Sequence, residues 1–131
     1  MKGFLSAVLI ILGILAGLAV AGFYFLDRLF SDLCGNEIFQ EKAAPKGRFK
    51  AVLFQRDCGA TTGFSTQVSL IPVDAPLPNE SGNVFVTNGH PQDTQINLQW
   101  RTPENLLIRN GVSLKTIKQE VFYQGIRIDY E

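Results

Sequence analysis

The chain holds one histidine, one tryptophan and two cysteines, and these scarcities exclude a good deal of chemistry. A metal centre needs His, Cys or carboxylate ligands at short spacing, and His90 with the scattered Asp57, Asp74 and Asp93 makes no such cluster. No Gly-x-Ser-x-Gly elbow presents a serine, so Ser65, His90 and Asp93 supply the letters of a hydrolytic triad without the motif that assembles one. The glycine spacing of a phosphate-binding loop is absent as well. Charge of one sign is missing: Lys and Arg together number 12, Asp and Glu together 12, and the formal charge is zero. No global field therefore draws in nucleic acid. A catalytic site, a metal, a cofactor and a nucleic-acid partner are accordingly not expected.

Apolar residues are plentiful, 46% against 18% charged, with ten phenylalanines, which suits a packed globule rather than a disordered chain. Residues 3–26 hold no charge and no proline. As a helix they span about 36 Å at roughly 1.5 Å per residue, more than the ~30 Å hydrocarbon core of a bilayer. Phe23-Tyr24-Phe25 closes the stretch with interfacial aromatics, and Asp27 and Arg28 follow at once. With Lys2 and the amino terminus before it, the charge bias predicts a single-pass transmembrane anchor over residues 1–26, with the N-terminus in the cytoplasm and the rest outside. The rival reading is a cleaved signal peptide, because Ala19-Val20-Ala21 fits the small-x-small pattern before a cut at Gly22. An apolar run longer than the usual ~7–15 residues favours retention. Gly13, Gly17 and Ala21 stand four apart and would let a second copy of the helix approach as a homodimer; equally, glycine and alanine are common in membrane helices.

Residues 27–44 have no strict period and read as a helical or irregular neck. Residues 45–131 read as an all-β domain. In residues 48–55 both alternate faces are apolar, Phe49, Ala51 and Leu53 on one and Val52 and Phe54 on the other, as in a central strand covered on both sides. The next run alternates Phe64, Thr66, Val68 and Leu70 with Ser65, Gln67 and Ser69, one face buried and one wet. Pro72, Pro76 and Pro78 mark an exposed loop, and residues 88–93 another. Ile96, Leu98 and Trp100 alternate inward, Asn110-Gly111 is the clearest hairpin signal, with a strand starting at Val112, and Gly125 marks a bulge or bend. Turn signals this closely spaced predict a mainly β fold, an antiparallel meander of roughly six to eight short strands forming a rolled sheet or small sandwich.

Twelve consecutive residues, Arg56-Asp57-Cys58-Gly59-Ala60-Thr61-Thr62-Gly63-Phe64-Ser65-Thr66-Gln67, concentrate turn formers and hydroxyls between two strands, where sites tend to lie. Arg56, Asp57, Thr61, Thr62 and Ser65 are the candidate binding residues, able to hold an anion or a peptide carbonyl, with Phe64 packing inward to fix the loop. The competing reading is a turn in which Asp57 and the threonines satisfy their own backbone. Two cysteines outside the cytoplasm most simply form a disulfide, Cys34 with Cys58; the alternative is a reactive thiol needing a base, for which His90 is the sole histidine. Lys42, Lys46, Arg48, Lys50 and Arg56 form a basic run without an acid that would meet lipid headgroups or stand as a solvated edge.

Two resemblances attach to these residues. The turn-then-strand units at residues 45–53 and 100–108 resemble the hairpins of TolB-like β-propeller blades, although a closed ring needs about four blades. Cys34-Gly35-Asn36-Glu37, the segment from Arg56 to Ser69, and Gly82-Asn83-Val84-Phe85-Val86 together resemble a family of small bacterial envelope proteins with an N-terminal apolar segment or lipoprotein signal. That resemblance covers most of residues 34–131. It implies a bacterial inner-membrane protein whose C-terminal domain faces the periplasm, and it carries over no activity. The resulting expectation is a membrane-anchored module that binds a protein or small-molecule partner in the envelope. The alternatives are a small hydrolase-like enzyme using residues 57–67 and His90, and a structural subunit of a membrane complex.

Overall fold

The computed structural model describes residues 1–59, 63–110 and 115–131, divided into two compact units, Met1–Leu33 and Cys34–Glu131. The first unit is helix α1, Lys2–Asp32. By length and composition its Lys2–Phe30 stretch can cross a membrane, a description that an N-terminal signal sequence also meets. The helix runs past Leu26, where the apolar stretch ends. Charges at Asp27 and Arg28 stop compatibility with hydrocarbon, whereas helical hydrogen bonding stops at a breaker, and none stands between Gly22 and Gly35. Gly13, Gly17 and Ala21 all lie on α1, and a Cβ at either glycine would meet nothing within 4 Å.

The second unit is mainly β. Its strands are β1 (Gly35–Ala43), β2 (Phe49–Asp57), β3 (Phe64–Pro72), β4 (Phe85–Asn88), β5 (Asn97–Thr102), β6 (Asn105–Arg109), β7 (Thr116–Gln119), β8 (Phe122–Tyr123) and β9 (Ile126–Tyr130), with a short helix α2 (Pro91–Thr94) before β5. They form a five-stranded sheet, β1-β2-β3-β4-β7, and a four-stranded sheet, β5-β6-β9-β8. All pairs are antiparallel except β6 with β9. The two sheets share one core, in which Leu53, Val68, Leu70 and Phe85 from the first meet Leu98, Leu106, Ile108, Ile126 and Ile128 from the second. The β domain is therefore a small sandwich.

Four local expectations change. Half of the expected neck is an edge strand: β1 pairs with β2 from Gly35↔Asp57 to Ala43↔Lys50, with a bulge at Phe39 that hides its period. The outer face of β3 is not wet, since Gln67 and Ser69 are 4% exposed. The proline-rich segment after β3 folds back over that face. Leu77 packs on Val52, Phe54 and Ile71, Gln67 Oε1 accepts from Gly82 N at 2.6 Å and Ser81 Oγ at 3.0 Å, and Ser69 Oγ accepts from Asn83 N at 3.1 Å. Gly82 is required there, because a Cβ would lie 2.9 Å from the carbonyl oxygens of both Val68 and Phe85. Part of the expected loop at residues 88–93 is α2, opened by Pro91.

The hairpin signals also exchange places. Asn110-Gly111 does not join neighbours, since β6 lies beside β5 and β9 while β7 lies beside β4 in the other sheet; Gly111 and Val112 themselves fall outside the described residues. The tight turn is at Gln124-Gly125, between the pair Tyr123↔Ile126. Both residues have positive φ, 45° and 83°, as a type I′ connection demands.

Candidate functional site

The twelve-residue stretch falls at one end of the five-stranded sheet, where β2 leaves and β3 returns. Cys34 and Cys58 are joined by a disulfide, one rung beyond the Gly35↔Asp57 pair. It closes the β1–β2 hairpin, and the chain-entropy estimate for a loop of this length is on the order of 3 kcal/mol. Positive φ at Gly59 and Gly63, 116° and 68°, lets the chain turn between the strands. Asp57 Oδ1 accepts from Gly59 N at 2.9 Å, an Asx contact within the turn. Thr61 and Thr62 lie outside the described residues.

Arg56 points to the outer face, together with Asn36 opposite it on β1. Its Nη1 donates to Asn36 Oδ1 at 2.8 Å and to Asn79 Oδ1 at 3.0 Å. Those amides are anchored in turn: Asn36 Nδ2 donates to the carbonyls of Pro78 and Glu80 at 3.1 and 3.0 Å, and Asn79 Nδ2 to that of Cys34 at 2.8 Å. The guanidinium thus knits β1, β2 and the folded-back segment together. Partial burial lowers its pKa by desolvation, opposed by the charge of Glu80. Among the described residues it makes no ion pair, and its Nε and Nη2 make no hydrogen bond.

Ser65, Gln67 and Ser81 continue the same face. Gln67 Nε2 donates to Ser65 Oγ at 2.8 Å, and Ser65 Oγ donates to the Arg56 carbonyl at 3.3 Å. Arg56, Cys58, Ser65, Gln67, Ser81 and Asn88 are among the residues lining a shallow cleft of about 270 Å³. Phe64 is not packed inward as expected. The residue is 41% exposed, and its ring stacks on His90 with centroids 4.0 Å apart.

His90 belongs to the other face. Its Nδ1 lies 2.9 Å from Gln55 Oε1, and nearby Thr66 Oγ1 donates to the Gly89 carbonyl at 2.8 Å. Ser65, one residue along β3 from both Phe64 and Thr66, projects to the opposite side of the sheet. Ser65 and His90 are therefore not brought together. Among the described residues no group of three His, Cys, Asp or Glu side chains is placed to hold a metal ion. The basic run is likewise divided: Lys42 Nζ donates to the Leu98 carbonyl at 2.7 Å and Lys50 pairs with Glu41 at 3.1 Å. What the arrangement can do is hold a polar group against a fixed guanidinium, hydroxyls and an amide. Asn36, Asn79 and Ser81 were not foreseen as parts of it, and Gln67 only as the end of the stretch; their sequence signal is a polar letter in a strand or loop. No protein-family model, curated protein or solved structure matches the chain.

Proposed function

We propose that the chain is a membrane-tethered interaction module of the bacterial envelope, held by α1 as a single pass, with the β domain on the periplasmic side and the Arg56-to-Gln67 end meeting a partner. The observation that carries this reading is the end of the sheet that the disulfide closes. An arginine fixed by neutral amides stands there beside a crosslink suited to an oxidising compartment, with hydroxyls around it. Tethering concentrates even a weak partner at the membrane.

An alkaline phosphatase fused after Glu131 is expected to be active, and intact-mass analysis is expected to retain the N-terminal peptide. A mature terminus at Gly22 removes the anchor from this reading. A photo-reactive residue at Asn88, in the cleft, is expected to give a discrete protein adduct in cells where one at Gln99 on β5 gives none. Equal background from both sites rejects the module.

A further inference from the structure

The cleft contains an incompletely used charge. A guanidinium offers two planar edges for bidentate bonding, and in Arg56 the Nη1 end is committed to Asn36 and Asn79. Those two amides line a different groove, with Ile38 and Leu77, whereas Arg56 itself lines the cleft with Ser65, Gln67 and Ser81. The Nε–Nη2 edge is thus what Arg56 has left to offer. Among the described residues its side-chain hydrogen bonds go to neutral amide oxygens, and no carboxylate is in ion-pair contact with it.

We propose that this cleft binds a carboxylate, with the Nε–Nη2 edge of Arg56 as the bidentate donor; the proposal rests on the interaction-module reading and names the chemistry of the partner's contact. Preorganisation favours it, since Asn36 and Asn79 hold the guanidinium in place before any ligand arrives. The local charge selects among anions. Glu80 acts on Arg56 electrostatically and weakens its pull on any anion, while a dianionic phosphate costs more to desolvate than a monoanionic carboxylate. A planar carboxylate also matches the fork geometry. The partner is accordingly a protein segment that presents an aspartate, a glutamate or a chain terminus.

The test uses the full chain in detergent micelles, with the Arg56 Nε–Hε resonance followed while N-acetyl-glutamate methylamide or inorganic phosphate is added. A saturable shift with the glutamate derivative, tighter than with phosphate, is expected. Arg56→Met removes that resonance, so binding to this variant is followed through the backbone amides of Ser65 and Ser81, whose saturable shift in the parent chain is expected to be lost. Because that substitution also cuts the bonds to Asn36 and Asn79, Glu80→Gln serves as a second variant. Its folding contact is through the backbone carbonyl, so the fold stays, and removing the negative charge that acts on Arg56 is expected to tighten carboxylate binding about two- to fivefold. No saturable shift, phosphate binding more tightly, or a Glu80→Gln affinity equal to that of the parent chain overturns the inference. A protein adduct from Asn88 without carboxylate titration discards the inference and leaves the module; titration without any adduct discards the module.

Discussion

The two sheets of the sandwich close their outer faces by different means. On the four-stranded sheet every arginine of the outer face is matched to acid: Arg101 reaches Asp129 and Glu131 at 3.2 and 2.8 Å, Arg109 reaches Glu131 at 3.3 Å, and Arg127 reaches Asp129 at 3.0 Å. Leu107, flanked in register by Gln99 and Asp129, is fully buried within that face. On the five-stranded sheet the cover is a folded-back segment, sealed by Leu77 over Val52, Phe54 and Ile71 and by amide and hydroxyl bonds from Gln67, Ser69, Asn36 and Asn79. Exposed ion pairs add little and are screened by salt. Buried neutral bonds cost more to break, because the abandoned partner is stranded. Lys50 on that face is paired with Glu41 at 3.1 Å, so the contrast singles out Arg56, a half-buried cation whose hydrogen bonds are to neutral amides.

The comparison breaks most visibly at Phe54. Phe54→Ala removes a fully buried ring from the small cluster beneath the folded-back segment, with an expected cost of ~3–5 kcal/mol. Trp100 is the only tryptophan, and its Nε1 donates to the Lys42 carbonyl at 2.8 Å, so its fluorescence in urea reports unfolding of the β domain. A loss below about 1 kcal/mol, less than such a ring in a packed core gives, means that the segment does not seal the face.

Gln67→Ala comes next. It strands the buried Gly82 N–H and releases Ser81, an expected loss of about 1–3 kcal/mol that added salt leaves unchanged. Gln67→Glu keeps an acceptor for Gly82 but buries a carboxyl and loses the donor to Ser65, so it is expected to be destabilised as well, and more so at neutral than at acid pH. If both variants unfold at the parent urea midpoint, the seal is not made by these bonds.

How much of this was legible follows from the reach of each interaction. The two apolar faces of β2 are written in consecutive letters, and the structure places Phe49, Ala51 and Leu53 against one cluster and Val52 and Phe54 in the other. The same local reading misassigned β3, because the partners that make Gln67 and Ser69 buriable stand 14–15 residues away, beyond any two-residue period. Arg56 stood out as a charge beside a turn, yet its fixation depends on Asn36 and Asn79, 20 and 23 residues distant. Asn110-Gly111 tolerates a tight turn, but tolerance does not choose partners, and β6 finds β9 rather than β7. The Cys34–Cys58 pairing was legible because two cysteines admit one intramolecular bridge.

The smallest effect expected is on the ion-paired face and shows along the pH axis. Asp129 is held below its ordinary carboxylate pKa, first by the Asn105 amide, which donates at 2.9 Å, and then by Arg127 and Arg101, against a desolvation effect that raises it. A carboxylate whose folded pKa is depressed contributes stability that is complete above its unfolded pKa and is lost as pH falls through the folded value. The contribution is therefore present at neutral pH and disappears below about pH 4. Asp129→Asn is expected to lower the neutral melting midpoint, followed by Trp100 fluorescence, only slightly, since the partly exposed carboxylate is screened by solvent. On acidification the variant is expected to lose stability less steeply than the parent, and high salt is expected to narrow the gap by weakening the arginine contacts while leaving the Asn105 bond. Parallel acid limbs for the two chains at low salt mean that Asp129 titrates as in the unfolded chain, and the ion-paired face then contributes charge matching without measurable linkage.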